Sequence, residues 1–225
     1  MGALEERQRV QALIDLLDPS PIRRLLLLGA HSDDIEIGCG GTLLRLALLC
    51  PRAEVRYVVF CGDEKRQSEA RAAAGLFCGG FAKLDVTVFG FRDAYLPCLG
   101  SAVKDAMESL KPFAPDLVFT HFRDDLHQDH RLLSSLTWNA FRDHLVLEYE
   151  IAKFDGDLGH PNFFVTLDAD TVARKCRLLH EAFASQRSRQ WFDDETFRAL
   201  MRLRGVECNS PTKYAEAFHC RKLRV

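Results

Sequence analysis

Neither sign of charge dominates this chain of 225 residues: 30 lysines and arginines face 32 aspartates and glutamates, a formal net charge of -2. The basic excess of a nucleic-acid binder is missing, as is the run of like charge that marks a disordered tail. Long apolar runs are also missing. The longest stretches, 25–28 and 46–50, fall far short of the ~20 residues that span a bilayer, so no stable membrane insertion is expected. The opening MGALEERQRV carries Glu5 and Glu6 and lacks an apolar core, which speaks against a secretory leader. The cysteines (Cys39, Cys50, Cys61, Cys78, Cys98, Cys176, Cys208 and Cys220) contain no CxxC pair, and several lie in apolar runs. They read as reduced core residues of a cytoplasmic protein. Repeats, linkers and low-complexity segments are absent, so one domain over 1–225 is expected.

What is present is a regular alternation. A helical spacing over 3–17 ends at Asp18-Pro-Ser-Pro21. Strands are then expected at 22–30, 53–61, 84–89 and 116–120. Helices are expected from the glycine run at 38 to 50, after Asp63, near 101–111, and from Asp129 or His130 onward. Beyond Phe141 the pattern loosens, with strands at 145–152 and 163–167, helices at 170–184 and 193–204 stopped by Gly205, and a last strand in KYAEAFHCRKL. Strands alternating with helices imply an α/β fold with a parallel, doubly wound sheet. In the order 3-2-1-4-5, strands one and four are neighbours, and ligands bind beyond their carboxyl ends.

Two clusters fall at those ends. LLLLGAHSDDIEIGCGGT (25–42) delivers His31, Asp33 and Asp34 after the first strand, and HFRDDLHQDH (121–130) follows the fourth. A dinucleotide site competes for the first, but GCGG lacks the GxGxxG spacing, and two carboxylates repel a pyrophosphate while suiting a divalent cation. Alone, Asp-Asp after a strand is often a helix cap and HxxH often a solvated surface. Their coincidence at adjacent strand ends favours a metal site. His31, Asp34 and His130 make a His2Asp shell that leaves a position open for water, with Zn2+ as the expected ion and Fe2+ also compatible. Asp33 is then free to act as general base. His127 is placed to stabilise an oxyanion and protonate a leaving amine, with Asp129 orienting it or keeping it charged. Cys39 reads as core packing.

These residues resemble a known family. AHSDDIEIGCGGT is similar to the AHPDDE-type first motif of the LmbE/PIG-L zinc-dependent de-N-acetylases, and DLHQDHR to their HxDH second motif. RQSEARAAAG, GFRDAYLP, EYEIAKFDGDLGHPN and YAEAF extend the resemblance over most of the chain. It implies a Rossmann-like, three-layer fold with a mainly parallel sheet and a metal site at the C-terminal ends of the first and fourth strands. It implies removal of acetyl from a small-molecule amino sugar of N-acetylglucosamine type, or its conjugate, by attack of metal-bound water. It also implies a homo-oligomer. By motif position the ligands fall again on His31, Asp34 and His130, the base on Asp33 and the catalytic histidine on His127. Ser32 stands where the family usually has proline, and Ile35 where an acid is frequent, although Glu36 follows.

Arg66 resembles a family arginine near the sugar; otherwise it is a first-turn residue pairing with a nearby acid. Arg92 and Asp93, past the third strand, either bind sugar hydroxyls or pair with each other. Asp155 and Asp157 line the mouth or shape a turn. His121 supports the ligands from behind, and His144, His160, His180 and His219 are structural or exposed. Two other function classes fit less well. A metal-dependent phosphoesterase would use Asp/His ligands, but only one ligand set is evident. A non-catalytic, metal-stabilised carbohydrate-binding domain leaves Asp33 without a purpose.

Overall fold

Leu25, Leu26, Leu27 and Leu28 have no exposed surface. They form the middle of β1 (Arg24–Gly29), the strand on which both faces of the protein are built. A run buried on both sides is what a parallel sheet covered by two helical layers requires. The computed structural model describes residues 22–223, so the helix expected over 3–17 lies outside the described residues. The strands are β1, β2 (Glu54–Cys61), β3 (Lys83–Phe91), β4 (Leu117–His121), β5 (Leu145–Tyr149), β6 (Phe163–Leu167) and β7 (Tyr214–Cys220). They form one sheet in the order β3-β2-β1-β4-β5-β7-β6. β1 to β5 pair in parallel, and β7 is antiparallel to both β5 and β6.

The helices are α1 (Asp34–Leu49), α2 (Glu64–Cys78), α3 (Gly100–Glu108), α4 (Gln128–Ala140), α5 (Ala169–Ala182) and α6 (Asp194–Glu207). Leu25 and Leu27 pack into the core shared with α1, α2 and α5, through Leu43, Phe77 and Leu179. Leu26 and Leu28 face α3 and α4, through Val103, Met107 and Leu133. The three-layer, mainly parallel architecture is therefore as expected.

The details differ where glycine misleads. The glycine run at 38–41 reads as a turn before a helix, but α1 already begins at Asp34. Glycine serves close packing here: a Cβ on Gly38 would lie 2.2 Å from the Tyr149 ring. Gly205, expected to stop α6, lies within its last turn, where a Cβ would meet the Lys213 carbonyl oxygen at 2.1 Å. β5 ends at Tyr149 rather than at 152, because Tyr149 pairs with His121, the last residue of β4.

α1 is kinked. Cys39 has φ -141° and ψ 16°, outside the helical range, so backbone groups on either side of it lose their helical partners. A buried ion pair takes them up. The Glu216 carboxylate of β7 accepts from the N–H groups of Gly41 (2.8 Å) and Thr42 (2.6 Å). Lys175 of α5 donates to the Ile37 carbonyl oxygen (2.6 Å) and to Glu216 (2.7 Å). Removing one member of a buried pair strands the other charge. Lys175→Met is expected to lower unfolding free energy by about 3–5 kcal/mol, measured by urea denaturation; a loss under about 1 kcal/mol, as for an exposed pair, would show that the pair does not hold the kink.

Candidate metal centre

The parallel register places the two clusters side by side. Leu27 of β1 pairs with Phe119 of β4, so the turn after Gly29 and the loop after His121 leave the same sheet edge together. The Ala30 N–H donates to His121 Nε2 at 3.0 Å, joining the two strand ends directly. Asp33 occupies the N-cap position of α1, and Asp34 opens its first turn, where a carboxylate is favoured by the helix dipole. His127 caps α4 through its ring and His130 lies in the first turn of that helix. His31, Asp33, Asp34, His127, Asp129 and His130 thus gather at one place.

Three donor atoms stand in a near-equilateral triangle. His31 Nδ1 lies 3.1 Å from His130 Nε2 and 3.3 Å from Asp34 Oδ2, and His130 Nε2 lies 3.5 Å from Asp34 Oδ2. A tetrahedral zinc shell with bonds of about 2.0–2.1 Å has edges of about 3.3–3.4 Å. The donor set therefore fits such an ion in both chemistry and spacing. Among the described residues, three overlapping groups also have ligand spacing: His31 with His127 and His130, His31 with Cys61 and Asp129, and Asp34 with His121 and His130. His121 stacks on His130 at 3.9 Å between ring centroids, and its Nε2 lies 3.2 Å from Asp34 Oδ2.

Each triangle histidine has a carboxylate at its other nitrogen. His31 Nε2 lies 3.0 Å from Asp93 Oδ1 and 3.3 Å from Asp129 Oδ2, and His130 Nδ1 lies 3.0 Å from Asp125 Oδ2. A carboxylate there takes the ring N–H and leaves the opposite lone pair for a cation. The charges agree. Burial works against a charge on His31, but Asp34, Asp129 and Asp93 outweigh it and push its pKa up. Burial raises the Asp34 carboxyl, but His130, His31 and His121 hold it well below the usual range. Burial, helped by His121, pushes His130 down, toward the neutral form that binds metal. Burial would also raise Asp125, but the hydrogen bond from His130 and the neighbouring positive charges keep it low.

Asp129 meets the site through both its carboxylate and its backbone. Its carboxylate accepts from the N–H groups of Ala94 (2.8 Å) and Leu96 (3.1 Å) and faces His31. It thereby ties the loop after β3 to the site. Its link to His127 is through its own backbone N–H, which donates to His127 Nδ1 at 3.3 Å. In the neutral ring that bond puts the proton on Nε2. Burial, reinforced by His130 and His31, lowers the His127 pKa while the Asp129 charge opposes them. Of the two expected uses of Asp129, orienting the ring or keeping it charged, the orienting one runs through this backbone N–H and not through the carboxylate.

Asp33 makes no capping bond. Its Oδ1 instead accepts from Arg66 Nη2 at 2.7 Å, with Arg66 held in the first turn of α2 by the Asp63 cap. Arg66 also reaches Ser32 Oγ at 3.4 Å. Burial raises the Asp33 carboxyl, Arg66 opposes, and the outcome is a pKa above the usual range. Beside His31 a cleft of about 270 Å³ opens between the ends of β2 and β3, lined by Cys61, Arg66, Phe91, Arg92 and Asp93 among others. Arg92 and Asp93 have separate contacts: the Arg92 guanidinium lies 3.7 Å from the Tyr95 ring centroid, and Asp93 reaches His31.

Two participants escape a reading of the sequence. Asp125 is 2% exposed although its neighbour Asp124 is on the surface, and nothing in the acidic pair distinguishes them. Lys153 pairs with Asp125 from the loop after β5, 28 residues away, and only the fold reveals it. Glu36, by contrast, is fully buried.

Fold and site together define a class: an α/β protein that gathers imidazoles and carboxylates suited to a cation at the switch point of a parallel sheet. Within it, the family described as GlcNAc-PI de-N-acetylase (PIG-L) matches residues 26–141, more than half of the chain. The chain belongs to this family, whose enzymes hydrolyse N-acetyl groups. Among solved structures it is similar to N,N′-diacetylchitobiose deacetylase from Pyrococcus horikoshii (20% identity, TM-score 0.69, covering 93% of this chain and 89% of that one). It is also similar to the zinc-inhibited form of teicoplanin deacetylase Orf2 (17%, 0.68, 87% and 96%). GalB, the 4-carboxy-2-hydroxymuconate hydratase of Pseudomonas putida KT2440, matches as well (18%, 0.71, 91% and 98%). At such identities the likeness is one of fold. No helix among the described residues is long and apolar enough to cross a membrane.

Burial pushes the Glu36 acid from its ordinary 4.5 up to about 8. An acid with a raised folded pKa favours the folded state at low pH, and that contribution is lost as pH climbs from about 4.5 to about 8. With a chelator present, Glu36→Gln is expected to flatten the decline of unfolding free energy over this window, where one such group contributes up to about 1.4 kcal/mol per pH unit. Urea titrations at several pH values give the two slopes; equal slopes would mean that Glu36 is not held neutral.

Proposed function

We propose that this protein removes the acetyl group from an N-acetylated amino sugar of N-acetylglucosamine type, or from its conjugate, with a divalent cation held by His31, Asp34 and His130. The observation that carries this reading is the triangle of His31 Nδ1, Asp34 Oδ2 and His130 Nε2, with edges of 3.1–3.5 Å, in a chain of a de-N-acetylase family. Two imidazoles and a carboxylate suit zinc first and iron(II) as well. When bound, such an ion acidifies water and polarises a carbonyl oxygen.

The chain's own residues supply the rest. Asp33, beside Asp34 but spent on neither the helix cap nor the triangle, takes the proton of the attacking water. Its raised pKa makes it a stronger base than an ordinary carboxylate, and Arg66 orients it through Oδ1. Water oxygen bonds to the acetamide carbon, the C–N bond breaks, and acetate and a free amine leave. His127, with its ring centroid 4.9 Å from that of His31, donates its Nε2–H to the developing oxyanion, and the proton that Asp33 took from the water passes to the leaving nitrogen. Asp129 contributes by fixing the loop after β3 and the His31 ring. Arg66, Arg92 and Asp93 line the cleft beside His31 and bind the sugar there.

Asp33→Asn is expected to retain stoichiometric zinc while acetate release from N-acetylglucosamine conjugates falls by roughly 10²–10⁴-fold. A variant near the wild-type rate would refute the base assignment. His130→Ala is expected to lose stoichiometric zinc in metal analysis, and a fully loaded variant would remove His130 from the ligand set. Release of phosphate instead of acetate from sugar conjugates would replace the whole reading with a phosphoesterase.

A further inference from the structure

Behind the triangle lies a second layer of charge that the proposed reaction does not use. Asp125, in the loop between β4 and α4, is buried, and both its oxygens are engaged. Oδ1 accepts the His127 N–H at 2.8 Å. Oδ2 faces His130 Nδ1 at 3.0 Å and accepts from Lys153 Nζ at 2.9 Å. Lys153 comes from the loop after β5 and also donates to Asp157 Oδ1 at 2.7 Å. Asp157 in turn accepts the Leu126 N–H at 2.6 Å. Among the described residues, the ion-pair partners of Asp125 are His130 and Lys153. Two loops far apart in sequence are thus clamped together directly beneath one corner of the triangle.

We infer that Asp125 is a positioning residue that holds His130 in the tautomer able to bind the cation through Nε2, and that Lys153 makes the loop after β5 part of this device. The inference rests on the proposed ligand set. An ionised carboxylate only accepts hydrogen bonds, so the proton of a neutral His130 lies on Nδ1 and the lone pair on Nε2. Nε2 is the atom that faces His31 Nδ1 and Asp34. Leaning the Nδ1–H on a carboxylate also makes Nε2 more basic toward a metal. Lys153 has two tasks. Its charge offsets the cost of burying Asp125, and its bond to Asp157 fixes where Asp125 can stand. The same Asp125 carboxylate holds the backbone of His127 through Oδ1, so one residue sets the position of both histidines of the second motif. A loop clamp alone would need the Asp125–Lys153 and Asp157–Leu126 bonds but would give no reason for an Asp125 oxygen to face His130 Nδ1.

The test is zinc affinity, measured by competition with a chromophoric chelator on the full chain, beside urea unfolding in excess EDTA. Asp125→Asn is expected to weaken zinc binding by roughly 10–100-fold and to shift the ¹⁵N signal of His130 Nδ1 in the zinc-loaded protein. Lys153→Met is expected to weaken zinc binding in the same direction by a smaller factor, and Lys153→Arg to restore most of the loss. A folded Asp125→Asn with wild-type zinc affinity and an unmoved Nδ1 signal would overturn the inference, as would variants that lose stability in EDTA while their zinc affinity stays constant. If Asp125→Asn fails to fold, a folded Lys153→Met with wild-type affinity overturns it. The two readings fail differently: wild-type protein that takes up no zinc, or His130→Ala that keeps it, removes the ligand set itself. Intact ligand results with an unaffected Asp125→Asn remove only this inference.

Discussion

The ion pair between Lys175 and Glu216 is the constraint on which the site depends. α1 must leave the sheet edge with Asp33 and Asp34 turned toward the candidate metal centre and then bend at Cys39 to lie against the core. Such a bend frees backbone donors on one side and a carbonyl on the other, inside the protein where water cannot serve them. Glu216 takes the donors and Lys175 the carbonyl. Both come from the C-terminal third of the chain, where the regular alternation has ended and β7 runs antiparallel. That segment's place in the architecture is therefore to hold the first helix in shape, and the carboxylate pair at its tip with it.

Around the tip the protein has assembled more negative charge than its own cations neutralise. Asp34, Asp93 and Asp129 surround His31, Asp125 sits behind His130, and the nearest fixed cations, Arg66 and Lys153, are bonded to Asp33 and Asp125. The upward push on His31 and the downward pull on Asp34 are two expressions of the same imbalance. A divalent cation at the triangle would relieve it. The fold alone does not specify this, since a hydratase shares it. Function resides in the side chains at the strand ends.

Much of this was legible in the residue order. The leucine run, the alternation through β4 and the positions of two Asp/His clusters sufficed for a parallel sheet and a shared site. Less legible were the places where one residue type has two uses. Glycines 38 and 205 look like helix boundaries and are contact points instead. Asp129 looks like a partner for the His127 ring, two residues away, yet its carboxylate is taken by the Ala94 and Leu96 N–H groups, which local spacing cannot show. Arg66 had two readings, and its bond to Asp33 gives the acid partner a definite identity without removing it from the cleft.

The sequence by itself determined the first layer: which residues have donor chemistry suited to a cation, and which strand ends carry them. Hydrophobic periodicity and donor chemistry are local properties, so they survive in a one-dimensional reading. Tertiary structure alone decided the layer behind. Asp125 became a carboxylate against His130 only because its loop is buried, and Lys153 and Asp157 joined it only because β5 lies beside β4. Hydrogen bonds are satisfied by whatever the fold brings within about 3 Å, and no spacing along the chain encodes that proximity.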